Sequence, residues 1–362
     1  MLTLRKTTAA AGLQLLDLPA PTAADLAPGE VLVRVRAAGI CGSDLHVDDW
    51  TPSYAFITRA LPVTLGHEFV GVAETGPLAG RRVVVRPSVT CGVCPACTAG
   101  RPDDCETRTG LGMTRDGAFA PWVRVPQRNC VPVPEGMGDG LAALTEPITI
   151  ALQALRIGCG EPVGEPDLRG RRVLVMGPGT IGQGIAVLAR RAGAAQVVVS
   201  GFDDAARLDV LRRMGFEACV DVASHSLAEA TRPHTGGAHF DLVFEATGVP
   251  HTIAEALPLL RRNGVLVVAG IHARPLQLDL APFVRRQQQL RASFRPPESD
   301  WPRALALMAE LGEQMAPMVS HVLPLSRALQ GFTLARGKQA SKVLLCPEPG
   351  PPAQPWQPVA AQ

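Results

Sequence analysis

Four cysteines within a short stretch place the strongest constraint on the fold of this chain. Cys91, Cys94, Cys97 and Cys105 lie in CGVCPACTAGRPDDC, with the spacing C-x2-C-x2-C-x7-C. Two residues between thiols allow the sulfurs to converge on one centre about 2.3 Å away, which is the geometry of a tetrahedral zinc site. Four protein ligands leave no position for a substrate. The spacing therefore predicts a structural zinc lobe over residues 88–108.

A pair of disulfides and an iron–sulfur cluster are the alternatives for these four thiols. The four cysteines that follow Cys105 in the 362-residue chain form no disulfide framework. The spacing also differs from the usual ferredoxin patterns. Zinc is therefore the favoured occupant of the cluster.

The composition is that of a globular protein with room for two hydrophobic cores, because 46% of the residues are hydrophobic and 19% are charged. The net charge of +2 gives no reason to expect a nucleic acid or an anionic membrane as a partner. The sequence contains no apolar run of about 18 residues, so we expect no membrane span. The first residues also lack the apolar region of a signal peptide. We expect a cytoplasmic protein. The Pro-rich residues 347–362 predict a disordered tail.

The pattern of apolar residues divides the chain into two kinds of structure. EVLVRVRAAGI alternates apolar and polar residues as a half-buried strand does, and RRVVVRPSV and FAPWVRVP are two further predicted strands. In LTEPITIALQALRIG, by contrast, Ile148, Leu152 and Leu155 share one face of a helix. The segments that follow alternate: RRVLVM and QVVVSG flank a predicted helix, and HTIAEALPLLRRNG is a predicted helix between DLVFEATG and VLVVAGIH. This alternation predicts an α/β fold with a doubly wound parallel sheet.

The alternation stops near residue 293, and a helix (WPRALALMAELGE) and a strand (SKVLLCP) follow it. We expect these elements to complete the first domain. The predicted organisation is a mainly-β domain formed by residues 1–147 and 293–346, with a parallel-sheet domain, 148–292, inserted between them.

A glycine-rich motif predicts a dinucleotide site in the second domain. Gly177, Gly179 and Gly182 form G-x-G-x-x-G directly after a strand and before a helix. The first glycine permits the tight turn, the second lets the backbone approach a pyrophosphate, and the third lets helix and strand pack closely. Thr180 and Ile181 open the helix, where unpaired N–H groups favour the anion.

The end of the next strand leaves the choice between NAD and NADP open. An acid at this position usually binds the adenosine ribose of NAD, but Ser200 and Gly201 stand there instead. Asp203 could take over the role of the acid, or Arg207 could bind the 2′-phosphate of NADP.

A second set of metal-ligating side chains differs from the four-thiolate set. Cys41 lies in GICGSDLH, His67 and Glu68 lie in GHE, and Glu146 lies in LTEP. A catalytic zinc takes about three protein ligands of this mixed type and keeps one open position. Each of these residues is common without a metal, but their occurrence beside a dinucleotide motif and a cysteine lobe favours a catalytic site.

These motifs together resemble the zinc-containing medium-chain dehydrogenases, of the alcohol, sorbitol and threonine dehydrogenase kind. The resemblance covers about residues 10 to 346 and is carried by GICGSDLH, LPVTLGHEFVG, the cysteine lobe, TEP and GPGTIG. It implies a GroES-like catalytic domain, a Rossmann domain, two zinc ions per chain, NAD or NADP, and a homo-dimer or homo-tetramer. It also implies that the segment after His46, with Trp50, Tyr54 and Phe56, lines the substrate pocket.

The resemblance also implies roles for single residues at the catalytic zinc. Cys41 and His67 match ligands, Glu68 matches an acid that is a ligand in some members, and Glu146 matches the glutamate of sorbitol-type enzymes. Asp44 matches the carboxylate that orients the zinc-bound histidine. Lys342 matches a basic residue that neutralises this acidic cluster.

The resemblance further implies a proton route. Ser43 matches the residue that accepts the alcohol's proton, which passes through the nicotinamide ribose to His46. The implied activity is zinc-dependent transfer of a hydride between a nicotinamide cofactor and a small alcohol, either a polyol or a secondary alcohol. Oxidation of an amino alcohol such as L-threonine, a zinc-free enone reductase and a non-catalytic NAD(P)-binding zinc protein are the alternatives.

Overall fold

The computed structural model describes residues 1–160 and 164–347, and these fall into two compact units. The first unit comprises Met1–Glu146 and the chain from Pro297 onward, and the second comprises Pro147–Pro296. The predicted tail, except for Pro347, lies outside the described residues. Within the described ranges no helix combines the length and apolar character needed to cross a membrane.

The first unit begins with short strands and few helices. Its strands are β1 (Leu2–Lys6), β2 (Gln14–Asp17), β3 (Glu30–Gly39), β4 (Val63–Thr64), β5 (Glu68–Ala73), β6 (Arg82–Val85), β7 (Ser88–Val89), β8 (Thr109–Gly110), β9 (Trp122–Pro126) and β10 (Cys130–Pro132). Its helices are α1 (Gly42–Asp49), α2 (Pro95–Thr98) and α3 (Asp139–Ala142), and α4 (Thr145–Cys159) begins at the end of the unit.

The second unit alternates strands and helices. Its strands are β11 (Arg172–Met176), β12 (Gln196–Gly201), β13 (Cys219–Asp221), β14 (Phe240–Glu245), β15 (Leu260–Val268) and β16 (Gln289–Ala292). Its helices, besides α4, are α5 (Thr180–Arg191), α6 (Ala205–Arg213), α7 (Leu227–Thr235), α8 (Pro250–Ala256) and α9 (Leu280–Arg285). The chain then returns to the first unit with α10 (Asp300–Met315), β17 (Val319–Pro324), α11 (Ala328–Arg336) and β18 (Lys342–Cys346).

The main sheet of the first unit joins segments that are far apart in the sequence. Its strands have the order β10-β6-β5-β3-β18-β17, and β9 pairs with β3. Strand β18 pairs with the end of β3, where Leu344 lies opposite Gly39. The C-terminal strand therefore completes the sheet that the first residues begin. Its core is formed by alternate apolar side chains, as period-2 strands require: Val33, Val35, Val83, Val85, Val343 and Leu345.

The six-stranded sheet of the second unit is entirely parallel, with the order β13-β12-β11-β14-β15-β16. The order reverses at β11, which lies between β12 and β14. Strand β11 is almost wholly apolar and buried from Val173 to Met176, as expected for a strand covered on both faces. This α/β architecture, a mainly-β unit and a doubly wound parallel sheet, confirms the predicted fold class.

Two predicted elements end earlier than the apolar pattern indicated. The predicted strand RRVVVRPSV is two strands, β6 and β7, separated by Arg86 and Pro87. The helix predicted for HTIAEALPLLRRNG ends at Ala256, and the residues from Leu260 belong to β15. Pro258 explains this difference, because it has no N–H group to donate to the next helical hydrogen bond, and the chain forms a single 3₁₀ turn, Leu257–Leu259, before β15.

Candidate functional site

The four cysteines of the lobe converge as their spacing predicts. Their sulfur atoms all lie within 4.8 Å of one another. The backbone N–H groups of Cys94 and Val93 donate to the Cys91 sulfur over 3.2 and 3.4 Å, and the N–H of Cys91 donates to the Cys105 sulfur over 3.4 Å. In the structure all nine cysteines are free thiols, and the four sulfurs of the lobe converge on one centre instead of pairing.

Local hydrogen bonds prepare two of these sulfurs to be thiolates. The Thr107 hydroxyl and then the N–H groups of Val93 and Cys94 lower the pKa of Cys91 to about 5. The N–H of Cys91 likewise lowers the pKa of Cys105. Burial raises the pKa of Cys97 to about 11, and the neighbouring cysteines add to the shift. A cation at the centre of the four sulfurs would stabilise the thiolate form, which is the form that binds zinc, so the lobe fits a closed site.

A second cluster joins Cys41, His67 and Glu68, whose ligand atoms lie within 4.8 Å of one another. Cys41 immediately precedes α1, and His67 and Glu68 stand where the chain enters β5. Neighbouring side chains on an extended strand point to opposite faces, so a turn is needed before both can reach one centre. Gly66, with φ of +93°, provides that turn, and a Cβ atom there would lie 2.7 Å from the Phe119 ring.

Asp44 connects the start of α1 to the imidazole of His67. One oxygen of its fully buried carboxylate accepts the Cys41 N–H at 2.9 Å, and the other lies 3.6 Å from His67 Nδ1. His67 Nε2 points instead toward the Ser43 hydroxyl, 3.3 Å away. Burial alone would lower the pKa of His67, but the Asp44 carboxylate and the Cys41 sulfur outweigh burial and hold it well above its usual value.

Glu68 is held from behind by a buried lysine. The Lys342 ammonium, on β18, donates to a Glu68 oxygen and also to the Ile40 carbonyl at 2.9 Å. Burial opposes the charge of Lys342, but Glu68 and Cys41 raise its pKa above the ordinary value. Gly39 makes room for this pair, since a Cβ atom at that position would lie 2.4 Å from the Glu68 carboxylate.

Glu146, in the first turn of α4, stands outside the group of Cys41, His67 and Glu68 but interacts electrostatically with it. Burial raises the pKa of Glu146 to about 7, and attraction to His67 opposes the shift while Glu68 adds to it. The structure therefore places the Glu146 carboxylate beside the cluster, and the side chains within ligand distance of one another are those of Cys41, His67 and Glu68.

The charges of the cluster fit a divalent cation. Four groups in or beside it become anionic on ionisation, namely Cys41, Asp44, Glu68 and Glu146, whereas Lys342 and His67 are the groups that can carry positive charge. One Asp44 oxygen and His67 Nδ1 are buried without a hydrogen-bond partner among the described residues. A thiolate, an imidazole nitrogen and a carboxylate are all donors that zinc accepts.

An aromatic pair covers the Ser43 side of the cluster. Tyr54, the chain's one tyrosine, stacks on the His46 ring with centroids 5.5 Å apart and the rings 10° from parallel. Burial, and then the Cys41 charge, raise the pKa of Tyr54 to about 12, while a hydrogen bond with Ser43 opposes the shift. Phe56 is 61% exposed, and the Trp50 ring lies 5.2 Å from the Lys6 ammonium. Of the three aromatic residues, Tyr54 has interactions with the cluster.

The glycine motif of the second unit has the geometry of a phosphate cradle. Gly177 has φ of +100°, and a Cβ atom on Gly182 would lie 1.9 Å from the Gly177 carbonyl oxygen. Gly179 is different, because a Cβ atom there would meet one atom only, the Arg207 Nη1 at 4.0 Å. The space in front of Gly179 is therefore open, beside a cation and at the start of α5, where Thr180 and Ile181 present their N–H groups.

The carboxyl end of β12 carries no acid, as the sequence indicated. Ser200 and Gly201 end the strand, and the N–H of Asp203 donates to the Asp221 carboxylate at 3.0 Å. The Arg207 guanidinium lies 3.3 Å from the Asp204 carboxylate.

Two family models match the chain. The alcohol dehydrogenase GroES-like domain matches residues 27–135, and the zinc-binding dehydrogenase domain matches residues 180–310. Among curated relatives, the L-threonine 3-dehydrogenases of Rhizobium etli (strain CIAT 652) and Saccharopolyspora erythraea are 30% and 31% identical to it. Both alignments cover 95% of this chain and 98% of the relative.

Solved structures show the same similarity in three dimensions. An alcohol dehydrogenase from Escherichia coli CFT073 with NADH has a TM-score of 0.81 at 27% identity, and a zinc-binding dehydrogenase from Sinorhizobium meliloti 1021 with NADP has 0.80 at 28%. Each alignment covers 96% of this chain and 99% of the other.

Proposed function

The chain belongs to the zinc-containing medium-chain dehydrogenase family, and from this premise we propose that it oxidises a small polyol or secondary alcohol at a zinc ion held by Cys41, His67 and a glutamate. One observation carries the proposal: Cys41, His67 and Glu68 converge within 4.8 Å, beside Ser43, in a chain that also has an open glycine cradle.

The side chains of the cluster have separate tasks in this proposal. When bound, zinc supplies a Lewis acid that lowers the pKa of the alcohol, and the nicotinamide accepts the hydride from the carbinol carbon. Cys41 and His67 would hold the metal, and Asp44, 3.6 Å from His67 Nδ1, would fix the imidazole with Nε2 free to bind it. Lys342 compensates the charge of Glu68, so Glu146 and Glu68 both remain candidates for the third ligand.

Ser43 is the proposed acceptor of the alcohol's proton. Its hydroxyl lies beside His67 Nε2 and shares a hydrogen bond with Tyr54, so it faces the proposed metal position. His46 follows one helical turn later on α1 and is half-buried, which suits a group that passes the proton to water. Tyr54 keeps the His46 ring in place by stacking on it.

The proposed cofactor site uses the glycine motif and the end of β12. Gly177, Gly179 and Gly182, with Thr180 and Ile181, would receive the pyrophosphate. Gly201 removes the acid that normally excludes a 2′-phosphate, and Arg207 provides a cation close to Gly179, whereas Asp203 favours NAD. We propose that Ser200, Gly201, Asp203 and Arg207 contact the adenosine ribose and that the enzyme accepts both NAD and NADP.

The proposal extends to the remaining parts of the chain. The first unit would be the catalytic domain, with a structural zinc at Cys91, Cys94, Cys97 and Cys105, and the second would bind the dinucleotide. A homo-dimer or homo-tetramer is the form that the family resemblance implies. We propose the cytoplasm as its location, because free thiols persist in a reducing compartment.

The substrate class rests on Glu146. A carboxylate facing zinc in place of a thiolate donates less charge, which suits a substrate that chelates the metal through two vicinal hydroxyls. L-Threonine is the second candidate, because the curated relatives at 30% and 31% identity are L-threonine 3-dehydrogenases.

A substrate screen with both cofactors tests the proposal. We expect vicinal diols or polyols to have a higher kcat/KM than matched mono-alcohols, and NAD and NADP to differ by less than about a thousandfold, or about 4 kcal/mol. A clear preference for simple primary alcohols would contradict the role given to Glu146. Highest activity on L-threonine would select the second candidate. Binding of cofactor without turnover of any alcohol would favour a non-catalytic protein.

A further inference from the structure

Glu245, at the end of β14, is a fully buried carboxylate to which the proposed chemistry gives no role. It accepts hydrogen bonds from the N–H groups of Thr247 at 2.6 Å and Gly248 at 2.9 Å, and from the Thr247 hydroxyl. Its other oxygen lies 2.8 Å from His272 Nε2. A buried carboxylate with this many donors is firmly fixed in position.

Glu245 joins two turns at the same edge of the sheet. Turn A, residues 246–249, follows β14, and turn B, residues 269–272, follows β15. The Glu245 carboxylate holds turn A, while its backbone carbonyl accepts the N–H groups of Ala269 and Gly270 at 2.8 and 3.0 Å. His272 closes turn B onto the same carboxylate.

The two turns touch through glycines. A Cβ atom on Gly270 would lie 2.4 Å from the Gly248 nitrogen and 2.7 Å from the Glu245 carboxylate. Gly248 has φ of +72°, and a Cβ atom there would lie 2.6 Å from the Ile271 carbonyl oxygen. Turns A and B therefore pack as one surface, and Glu245 lies beneath it.

This surface lies next to the glycine cradle. Glu245 pairs in register with Met176 on β11, and a Cβ atom on Gly177 would lie 2.9 Å from the Ala246 carbonyl oxygen. In a doubly wound sheet the dinucleotide crosses the carboxyl ends of the strands where the strand order reverses. The strand order reverses at β11, so the adenosine half belongs over β12 and the nicotinamide half over β14 and β15.

We propose that Glu245 and His272 are positioning residues for the nicotinamide half of the cofactor. The inference rests on the proposed cofactor role of this unit. His272 donates to Glu245 and so locks turn B against turn A, at an edge that receives a polyanion. Without His272, turn B retains the two backbone hydrogen bonds to the Glu245 carbonyl but loses its link to the carboxylate.

Direct binding by the full-length protein separates this role from catalysis. NADH and NADPH are titrated by fluorescence against the parent, His272→Ala and His272→Gln, and ADP is titrated as a ligand that carries the adenosine half alone. Glutamine can place an N–H donor near the position of Nε2. His234→Ala is the matched control, because His234 is an exposed histidine in the last turn of α7.

We expect His272→Ala to weaken binding of the reduced dinucleotide by roughly tenfold or more, as for loss of one hydrogen bond to a charged group. ADP should bind the variant as it binds the parent, and His272→Gln should recover much of the loss. If His272→Ala does not fold, the comparison is made between His272→Gln and His272→Met, which fills the space without a donor.

If the parent and His272→Ala, or its substitute His272→Met, bind the dinucleotide equally well, the inference about Glu245 and His272 is overturned and the proposed function is not affected. Equal weakening of ADP and of the dinucleotide would also overturn it, because the damage would then extend to the adenosine half. Absence of any dinucleotide binding by the parent would refute both the inference and the proposed function.

Discussion

The two metal-ligating clusters of the first unit are built on opposite plans. The cysteine lobe is local: Cys91, Cys94, Cys97 and Cys105 lie in one short segment, and backbone N–H groups of that segment stabilise the sulfurs. The second cluster is assembled by the tertiary fold, because its groups come from α1, the start of β5, the start of α4 and strand β18.

This difference indicates what each cluster is suited to do. Neutral backbone donors beside four converging sulfur atoms suit a closed site whose geometry depends on the lobe alone. In the second cluster, charged side chains balance one another, and Ser43 and Tyr54 lie beside the donors. Such a site keeps polar groups available to a ligand, whereas the lobe does not.

Cys41→Ser should have the largest effect on function and so separates the two clusters. We expect turnover to fall by roughly a thousandfold or more, because the metal's contribution to transition-state stabilisation amounts to several kcal/mol. The folded state should persist, since Cys41 contributes no sulfur to the lobe. Steady-state kinetics and circular dichroism are the measurements.

Cys159→Ser provides the matched control for this variant, because Cys159 is a half-buried thiol outside both clusters. It should turn over alcohol at the parental rate. Retention of parental activity by Cys41→Ser would remove the catalytic assignment of the second cluster.

Lys342→Met should have the second largest effect and measures how strongly the second cluster depends on charge balance. Lys342 and Glu68 are both buried, so removing the lysine leaves a carboxylate with no cation behind it. We expect the free energy of unfolding at pH 8 to fall by about 3–5 kcal/mol. Lysine is charged at this pH in the folded and the unfolded chain. Chemical denaturation gives the free energy of unfolding.

Two further variants sharpen the test of this ion pair. Lys338→Met removes the same charge from a nearby turn and should change stability much less. The double variant Glu68→Gln/Lys342→Met should recover part of the loss, because it leaves no buried charge unpaired. A loss in the double variant equal to that of the single one would mean that packing of the lysine, and not its charge, matters.

The sequence predicted the features that depend on local spacing. The four-cysteine lobe, the glycine turn at Gly177 and the helix at Ile148 follow from residues that are close together in the chain, so their geometry is encoded locally. The resemblance to a known family also placed Lys342 near the acidic cluster, where the structure has it.

Features that depend on tertiary contacts were not predicted. The stacking of Tyr54 on His46 requires the 3₁₀ segment Pro52–Ala60 to fold back over α1, and the pairing of Glu245 with His272 joins the ends of two strands. The helix predicted for HTIAEALPLLRRNG was wrong beyond Ala256, because Pro258 interrupts its hydrogen bonds. Pro258 is visible in the sequence, so the helix could have been predicted to end before it.

Zinc content measured on the purified protein tests the central claim, that the protein has two independent zinc sites. Inductively coupled plasma mass spectrometry should find about two zinc ions per chain in the parent and about one in Cys41→Ser. The Cys97→Ser protein should also lose one zinc ion and should unfold at a lower temperature, because the binding of zinc to the lobe contributes to folding of the lobe. One zinc ion in the parent, or an unchanged zinc content in Cys41→Ser, would contradict the account.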